Sequence, residues 1–354
     1  MKLPKSDSPA QGASAGSGQS TAPAGSGHAL LSVRGLTIDA SGRDGFAPLV
    51  RDVSFDIGAG QALGLIGESG SGKTLTCMAL GGLLPRGVRV TGGEVLLDGT
   101  DLAHASERQL GRVRGSLIGF VFQDPGAALD PLSPVGAQLA EVARTHLAIG
   151  RAQARSMALK LMDEMEIPRA RDRYRAYPHE LSGGMKQRMC IAMALAGNPR
   201  LLVADEPTTA LDVTTERAIL DLIGRLRAER DLALLLVTHS LPVAALMTDQ
   251  LRVMYAGEVV ESGRTADCLA VPGHPYTEAL AESARSVERS RDGRLVAIPG
   301  AVPGGVAATD RCVFAPRCPY ATDQCIAGHP PWQPTRSGSA ACIHVDRARK
   351  DSAR

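Results

Sequence analysis

The chain has 354 residues, of which 39 are Lys or Arg and 37 are Asp or Glu, so its formal net charge is +2. A charge so close to zero argues against a nucleic-acid binder with a dense basic patch, and an aromatic content of 3% argues against a protein that stacks single-stranded bases. Hydrophobic residues make up 44% of the chain, enough for a sizeable core, but no apolar run approaches the ~18 residues needed to cross a bilayer.

The N-terminal segment, residues 1–28, consists mainly of Ser, Gly, Ala, Pro and Gln and has almost no large apolar side chains. Such a segment buries too little surface to offset its ordering entropy, so we predict a disordered tail. A recognition tail is the alternative. No apolar segment follows the first residues, and we therefore expect no secretory signal.

Beyond the tail, apolar patterning predicts alternating strands and helices. The predicted strands are residues 30–38, 49–57, 62–66, 93–97, 118–122, 201–204 and 232–238. The predicted helices are residues 75–84, 137–147, 152–165 and 216–229. This alternation favours an α/β core with a parallel sheet.

We expect the folded part of the chain to divide into two regions. The first is an α/β domain over residues 29–288, in which the stretch from about 105 to 185 has a helical pattern and is predicted to form a subdomain. The second is a C-terminal extension over residues 289–354, where Pro, Gly and Cys become frequent and helical periodicity fades.

A glycine-rich motif lies between the third predicted strand and the first predicted helix. Its sequence, Gly-Glu-Ser-Gly-Ser-Gly-Lys-Thr, matches G-x-x-x-x-G-K-[ST] in the structural context that the motif requires. Backbone N–H groups of such a loop point at phosphates, the Lys neutralises their oxygens and the Thr hydroxyl binds Mg²⁺. The predicted nucleotide-binding residues are Gly67, Ser69, Gly70, Ser71, Gly72, Lys73 and Thr74.

Two carboxylates follow a buried-strand pattern in Leu-Leu-Val-Ala-Asp205-Glu206. They are expected at the C-terminal edge of the sheet, where α/β proteins bind ligands. We predict that Asp205 holds Mg²⁺ and that Glu206 polarises the attacking water. The alternative is that two acids merely end a strand.

Four further motifs stand in order along the chain. They are Phe-Val-Phe-Gln123, Leu-Ser182-Gly183-Gly184-Met-Lys-Gln, Ala-Leu-Asp212 and Val-Thr-His239. Together with the glycine-rich loop they resemble the Q-loop, signature, D-loop and switch histidine of ABC ATPases. The resemblance covers about residues 30–345, and it implies an ABC-type P-loop NTPase core with a helical subdomain.

The resemblance implies a head-to-tail pair of ATPase subunits around ATP and Mg²⁺. Ser182, Gly183 and Gly184 would contact the γ-phosphate bound in the partner, an anion facing a helix N-terminus. Glu206 would be the base, and His239 would contact the γ-phosphate. Gln123 would touch Mg²⁺, as Thr74 and Asp205 do, and Asp212 would couple the two sites.

The family usually stacks adenine on an aromatic residue before the second strand. Phe46 is the aromatic residue near that position, although its spacing from Val50 is shorter than the common pattern. We predict Phe46 as the adenine platform. The alternative is a loop residue that packs on the sheet edge.

Four cysteines are concentrated in the extension, namely Cys312, Cys318, Cys325 and Cys342. Four thiolates suit tetrahedral zinc or an iron–sulfur cluster, although their spacing is not that of a zinc ribbon. The alternative is that the four thiols have no shared role. The region resembles the C-terminal extension of oligopeptide/dipeptide permease ATPases, with His274-Pro-Tyr-Thr277, Ile298-Pro-Gly300 and Pro316-Arg-Cys-Pro319 as landmarks. Because some members of that group carry a 4Fe–4S cluster, the resemblance places Fe–S ahead of Zn²⁺.

This resemblance implies the D-type ATPase subunit of a bacterial di-/oligopeptide importer of the peptide/nickel class, with nickel import as the alternative. Its partners would be two transmembrane permease subunits, a second ATP-binding subunit and, indirectly, an extracytoplasmic solute-binding protein. It would sit peripherally on the cytoplasmic face of the inner membrane. Action on ribosomes or DNA is disfavoured because the chain has one motif set and no sustained heptads. A regulatory module with a vestigial ATPase is disfavoured because Glu206 and His239 are present.

Overall fold

The computed structural model describes residues 29–42, 45–289, 298–302 and 310–345. The predicted tail, residues 1–28, lies outside the described residues. Over the described ranges, no helix combines the length and apolar character that a membrane span requires.

The larger sheet contains the parallel strands of the fold. Its strands are β3 Ala62–Ile66, β6 Ile118–Val121, β7 Leu201–Asp205, β8 Ala233–Thr238, β9 Gln250–Tyr255, β10 Glu258–Arg264, β11 Trp332–Pro334 and β12 Gly338–Ala341. Their order in the sheet is β11-β12-β10-β9-β3-β8-β7-β6. Every residue of β3, β7 and β8 is buried, as expected for parallel strands covered on both faces.

A second, antiparallel sheet packs beside the first. Its order is β2-β1-β4-β5, with bounds β1 Leu31–Gly42, β2 Gly45–Ile57, β4 Val88–Leu97 and β5 Thr100–Asp101. The inward side chains of Val33, Phe55 and Val95 belong to a core that also contains Leu63 and Val237 of the larger sheet. The two sheets therefore share one hydrophobic layer.

The helices cover the larger sheet and form a block between β6 and β7. Their bounds are α1 Lys73–Leu80, α2 Glu107–Val113, α3 Pro125–Ala128, α4 Val135–Leu147, α5 Arg151–Glu164, α6 Ala170–Arg173, α7 Gly183–Leu195, α8 Val213–Arg230, α9 Leu241–Met247, α10 Thr265–Ala270, α11 Pro275–Arg289 and α12 Asp323–Ala327. The range predicted as a helical subdomain, about 105–185, also contains β6, which pairs with β7 in the larger sheet. The exact limits of the subdomain stay a prediction.

The C-terminal extension is joined to the larger sheet by hydrogen-bonded strands. Strand β12 pairs with β10 in antiparallel register, with Glu261 opposite Ala340 and Gly263 opposite Gly338. A Cβ on Gly263 would lie 1.8 Å from the carbonyl oxygen of Ser337, so only glycine permits this approach. The extension thus lengthens the sheet that carries the predicted nucleotide motifs.

Candidate nucleotide site

The predicted nucleotide motifs meet at one edge of the larger sheet. The glycine-rich loop follows β3, Glu206 follows β7, His239 follows β8 and Gln123 lies two residues beyond β6. Because these strands are parallel, their C-terminal ends lie at the same edge. A cavity of about 510 Å³ opens there. The predicted residues in its wall are Ser69, Gly70, Ser71, Gly72, Lys73, Thr74, Gln123, Glu206 and His239.

The glycine-rich loop has a backbone that other residues would not tolerate at two positions. Gly67 has φ +154°, and a Cβ there would lie 2.1 Å from the carbonyl oxygen of Met254. Gly72 has φ +99° immediately before α1, in the left-handed region that glycine enters without strain. The loop therefore wraps tightly and delivers the N-terminus of α1 to the cavity.

Lys73 supplies a buried positive charge to the cavity. Its ammonium donates hydrogen bonds to the carbonyl oxygens of Gly67 and Glu68, each at 2.8 Å, and the side chain is 5% exposed. Burial lowers the pKa of Lys73, and the carboxylates of Glu206 and Asp205 oppose that shift. A cation held in this way is suited to phosphate oxygens.

Asp205 and Thr74 form a polar pair that suits a divalent cation. Burial raises the pKa of Asp205 above its ordinary value, and the neighbouring Thr74 hydroxyl opposes that shift. One carboxylate oxygen, Asp205 Oδ1, is buried and has no hydrogen-bond partner. A buried, unsatisfied carboxylate oxygen beside a hydroxyl is the hard oxygen donor set that Mg²⁺ takes up.

Glu206 is held at the centre of a hydrogen-bond network. Gln123 Nε2 donates to Glu206 Oε2 at 3.0 Å, Thr209 Oγ1 donates to the same oxygen at 2.9 Å, and His239 Nδ1 lies 3.0 Å from Glu206 Oε1. Although burial favours the neutral acid, the hydrogen bonds from His239 and Thr209 hold the pKa of Glu206 below its ordinary value. An ionised, oriented carboxylate is what a general base requires.

The backbone of Glu206 supports this role. Its φ is +46°, an uncommon conformation for a residue other than glycine, and it occurs where the chain leaves β7. Thr209 was not predicted from the sequence. Its position three residues after Glu206 is the one feature of the sequence that could have indicated it.

The signature and D-loop residues lie at exposed helix starts and not in the cavity wall. Ser182 caps α7 by accepting a hydrogen bond from the Met185 N–H at 3.3 Å, and Asp212 caps α8 through the Thr215 N–H at 3.0 Å. The two helix starts touch, because a Cβ on Gly184 would lie 2.6 Å from Thr215 Cγ2. Ser182, Gly183 and Asp212 are exposed.

Phe46 is not among the residues that line the cavity. Its ring is 51% exposed in β2, and the Arg89 guanidinium stacks over it at 3.9 Å from the ring centroid. Leu49 and Ala256, which the sequence did not indicate, line the cavity instead. The role of Phe46 as adenine platform stays a prediction that this placement does not support.

The four predicted cysteine ligands lie near one another without forming a metal site. Burial raises the pKa of Cys342 to about 12, and Cys312, Cys318 and Cys325 are close enough to add to the shift. Cys325 Sγ also lies 3.6 Å from His344 Nε2. Within the described ranges, however, no three Cys, His, Asp or Glu residues are grouped so that they could hold a metal ion. The predicted ligand set is therefore not formed in this structure.

Two protein families match parts of this chain. The ABC transporter family matches residues 50–209, and the family described as oligopeptide/dipeptide transporter, C-terminal region, matches residues 260–325. A probable peptide ABC transporter ATP-binding protein of Sinorhizobium fredii is 43% identical over 88% of this chain and 93% of its own length. The oligopeptide transport ATP-binding protein OppD of Escherichia coli is 40% identical over 89% of this chain and 93% of its own length.

A solved structure supports the fold. The dimeric ATP-binding cassette MJ0796, in a post-hydrolysis state with ADP and Pi, is 27% identical in sequence, with a TM-score of 0.59. The match covers 67% of this chain and 99% of the MJ0796 chain. The shared fold, the two family matches and the identity over most of the chain lead to one conclusion: this chain belongs to the ABC transporter ATP-binding proteins of the oligopeptide/dipeptide transporter family.

Proposed function

We propose that this chain binds and hydrolyses ATP to energise the import of di- or oligopeptides. The observation that carries the proposal is the combination, in one structure, of a nucleotide cavity lined by the ABC motifs with the oligopeptide-type extension on the same sheet. The relatives described above are named for peptides, which favours peptides over nickel.

In the proposed mechanism, the loop over residues 67–74 binds the phosphates and Lys73 neutralises their charge. Mg²⁺ would be held by Thr74, Asp205 and Gln123, and when bound it neutralises negative charge on the phosphate oxygens. Glu206 orients a water and accepts its proton, while His239 and Thr209 fix the direction of the carboxylate. His239 is 60% exposed, which leaves it accessible to a γ-phosphate.

The proposed assembly places two such subunits head to tail. Exposure of Ser182, Gly183 and Asp212 outside the cavity supports this arrangement, because these residues are free to meet the nucleotide of a second subunit. The second subunit would be a similar ATPase or another copy of this chain. Two membrane-spanning permease subunits would bind the pair at the cytoplasmic face of the inner membrane and would receive solute from an extracytoplasmic binding protein.

The test is ATPase activity of the complex with its permease subunits in lipid. Extracytoplasmic binding protein would be added unloaded or loaded with dipeptides, oligopeptides or nickel complexes. Stimulation by peptide-loaded protein above the unloaded control is the expected result. Stimulation by nickel complexes alone would replace peptide import by nickel import, and stimulation by none of the panel would contradict both.

We expect Asp205→Asn to raise the Mg²⁺ concentration needed for half-maximal ATPase activity by about tenfold, because an amide oxygen carries no charge for the cation. ATP binding in the presence of EDTA should change by less than about twofold. Asp221→Asn is the control, since Asp221 pairs with Arg217 on the surface of α8. An unchanged Mg²⁺ requirement for Asp205→Asn would remove Asp205 from the cation site.

The cysteine group is a separate proposal: Cys312, Cys318, Cys325 and Cys342 ligate a 4Fe–4S cluster, with Zn²⁺ as the other candidate. The number of sulfur donors and their shared neighbourhood support it, but the thiols must move together before they can ligate. Anaerobic purification followed by iron and zinc analysis and a visible spectrum tests it. A brown protein with about four irons supports the cluster, stoichiometric zinc supports the other candidate, and a metal-free protein rejects both.

A further inference from the structure

We propose that Arg317, in the C-terminal extension, is a positioning residue for the phosphate loop: it holds and neutralises the carboxylate of Glu68, the second residue of that loop. The inference rests on the proposed phosphate-binding role of the loop. It makes the extension a working part of the nucleotide site, although 249 positions separate the two residues along the chain.

Two of the three landmark motifs contact Glu68, and the third holds the arginine that pairs with it. Tyr276, from the His-Pro-Tyr-Thr motif, accepts a hydrogen bond from the Glu68 backbone N–H at 2.8 Å. Arg317, from the Pro-Arg-Cys-Pro motif, donates two hydrogen bonds to the Glu68 carboxylate, from Nη1 to Oε2 at 2.7 Å and from Nη2 to Oε1 at 3.1 Å. The loop residue is thus held by both its backbone and its side chain.

The third landmark motif fixes the arginine. The carbonyl oxygen of Pro299 accepts a hydrogen bond from Arg317 Nε at 2.7 Å, and that of Ile298 accepts one from Arg317 Nη2 at 3.1 Å. The Tyr255 hydroxyl lies 3.4 Å from Arg317 Nη1, and the Arg317 side chain is 5% exposed. Because the guanidinium is clamped on several sides, it presents a rigid fork and not a mobile surface charge.

This ion pair differs from the surface ion pairs of the chain because its carboxylate belongs to the phosphate loop. Glu68 places a negative charge in the loop that is proposed to receive a polyanion, and its own carbonyl oxygen accepts a hydrogen bond from Lys73. Unpaired, that carboxylate would repel the phosphates and compete for Lys73. Arg317 neutralises that charge, and Glu68 is not among the residues that line the cavity.

The sharpest test compares two substitutions at Glu68 in the full chain. Glu68→Asp keeps the charge but shortens the side chain by one methylene, so the carboxylate loses its two-pronged contact with Arg317. Glu68→Gln removes the charge and keeps the length. We expect ATP binding to weaken about tenfold for Glu68→Asp and by less than about twofold for Glu68→Gln, measured by titration with a fluorescent ATP analogue.

The dependence of ATP affinity on salt distinguishes an electrostatic effect of Glu68→Asp from a steric one. The loss of ATP affinity in Glu68→Asp should become smaller as ionic strength rises, because added salt screens the unpaired carboxylate. Arg217→Gln is the matched control for arginine loss, since Arg217 pairs with Asp221 at 3.0 Å on an exposed helix face, and it should bind ATP as the unmodified chain does. Equal affinities for Glu68→Asp and Glu68→Gln, or a deficit independent of salt, would overturn the proposal.

A double substitution tests the arginine itself. Arg317→Gln should weaken ATP binding about tenfold, and Glu68→Gln added to it should restore affinity to within about threefold of the unmodified chain. If Arg317→Gln alone does not fold, the double variant still decides, because its folded form should bind ATP normally. A folded double variant with weak binding contradicts the proposal. Failure of the unmodified chain to bind ATP would instead contradict the proposed function.

Discussion

Glu206→Gln is expected to leave ATP binding within about threefold of the unmodified chain and to reduce ATP turnover by at least about a hundredfold, the usual contribution of a general base. The amide keeps the size and most contacts of the side chain but cannot accept the proton of the attacking water. The pKa of Glu206 lies below its ordinary value, so the carboxylate is ionised and able to act as a base at neutral pH.

The same substitution should lengthen the life of the ATP-bound pair. If hydrolysis opens a head-to-tail dimer, a chain that binds ATP without hydrolysing it should accumulate as a dimer during size-exclusion chromatography with ATP and Mg²⁺. Glu229→Gln, at an exposed position near the end of α8, is the control and should hydrolyse ATP normally. Near-normal ATPase activity of Glu206→Gln would show that another group removes the proton.

Motifs that follow strand ends could be predicted from the sequence because topology brings them together. Lys73, Gln123, Glu206 and His239 are far apart in the chain, but each follows a parallel strand, and a parallel sheet gathers such positions at one edge. The buried strands could also be predicted, because an apolar run as short as that of β8 is of strand length and too short for a typical helix.

The contacts between the extension and the phosphate loop could not be predicted in this way. Nothing in the local pattern around Arg317 indicates Glu68 as its partner, because the pair depends on tertiary packing: Tyr255 contacts Arg317, Tyr276 contacts Glu68, and the two tyrosine rings pack on each other. The exposed position of Phe46 depended in the same way on a tertiary contact, its stacking with Arg89. Spacing along the chain carries no information on either contact.

Lys73→Ala is expected to weaken ATP binding about a hundredfold, which corresponds to roughly 3 kcal/mol and is the scale of two charge-assisted hydrogen bonds. The loss has two parts. The phosphates lose a cation, and the carbonyl oxygens of Gly67 and Glu68 lose the donor that draws the loop around it. Turnover should fall in parallel at subsaturating ATP, and a titration with a fluorescent ATP analogue measures the binding directly.

The control for Lys73→Ala is Lys160→Ala, because the Lys160 side chain is 71% exposed on α5 and pairs only loosely with Glu164 at 3.7 Å. It removes the same charge and should leave ATP affinity unchanged. Because burial lowers the pKa of Lys73, alkaline pH should weaken ATP binding sooner than an ordinary lysine would allow, and Lys73→Ala should abolish that dependence. Equal ATP affinities for the two alanine variants would mean that the phosphates are bound by the loop backbone and α1 alone.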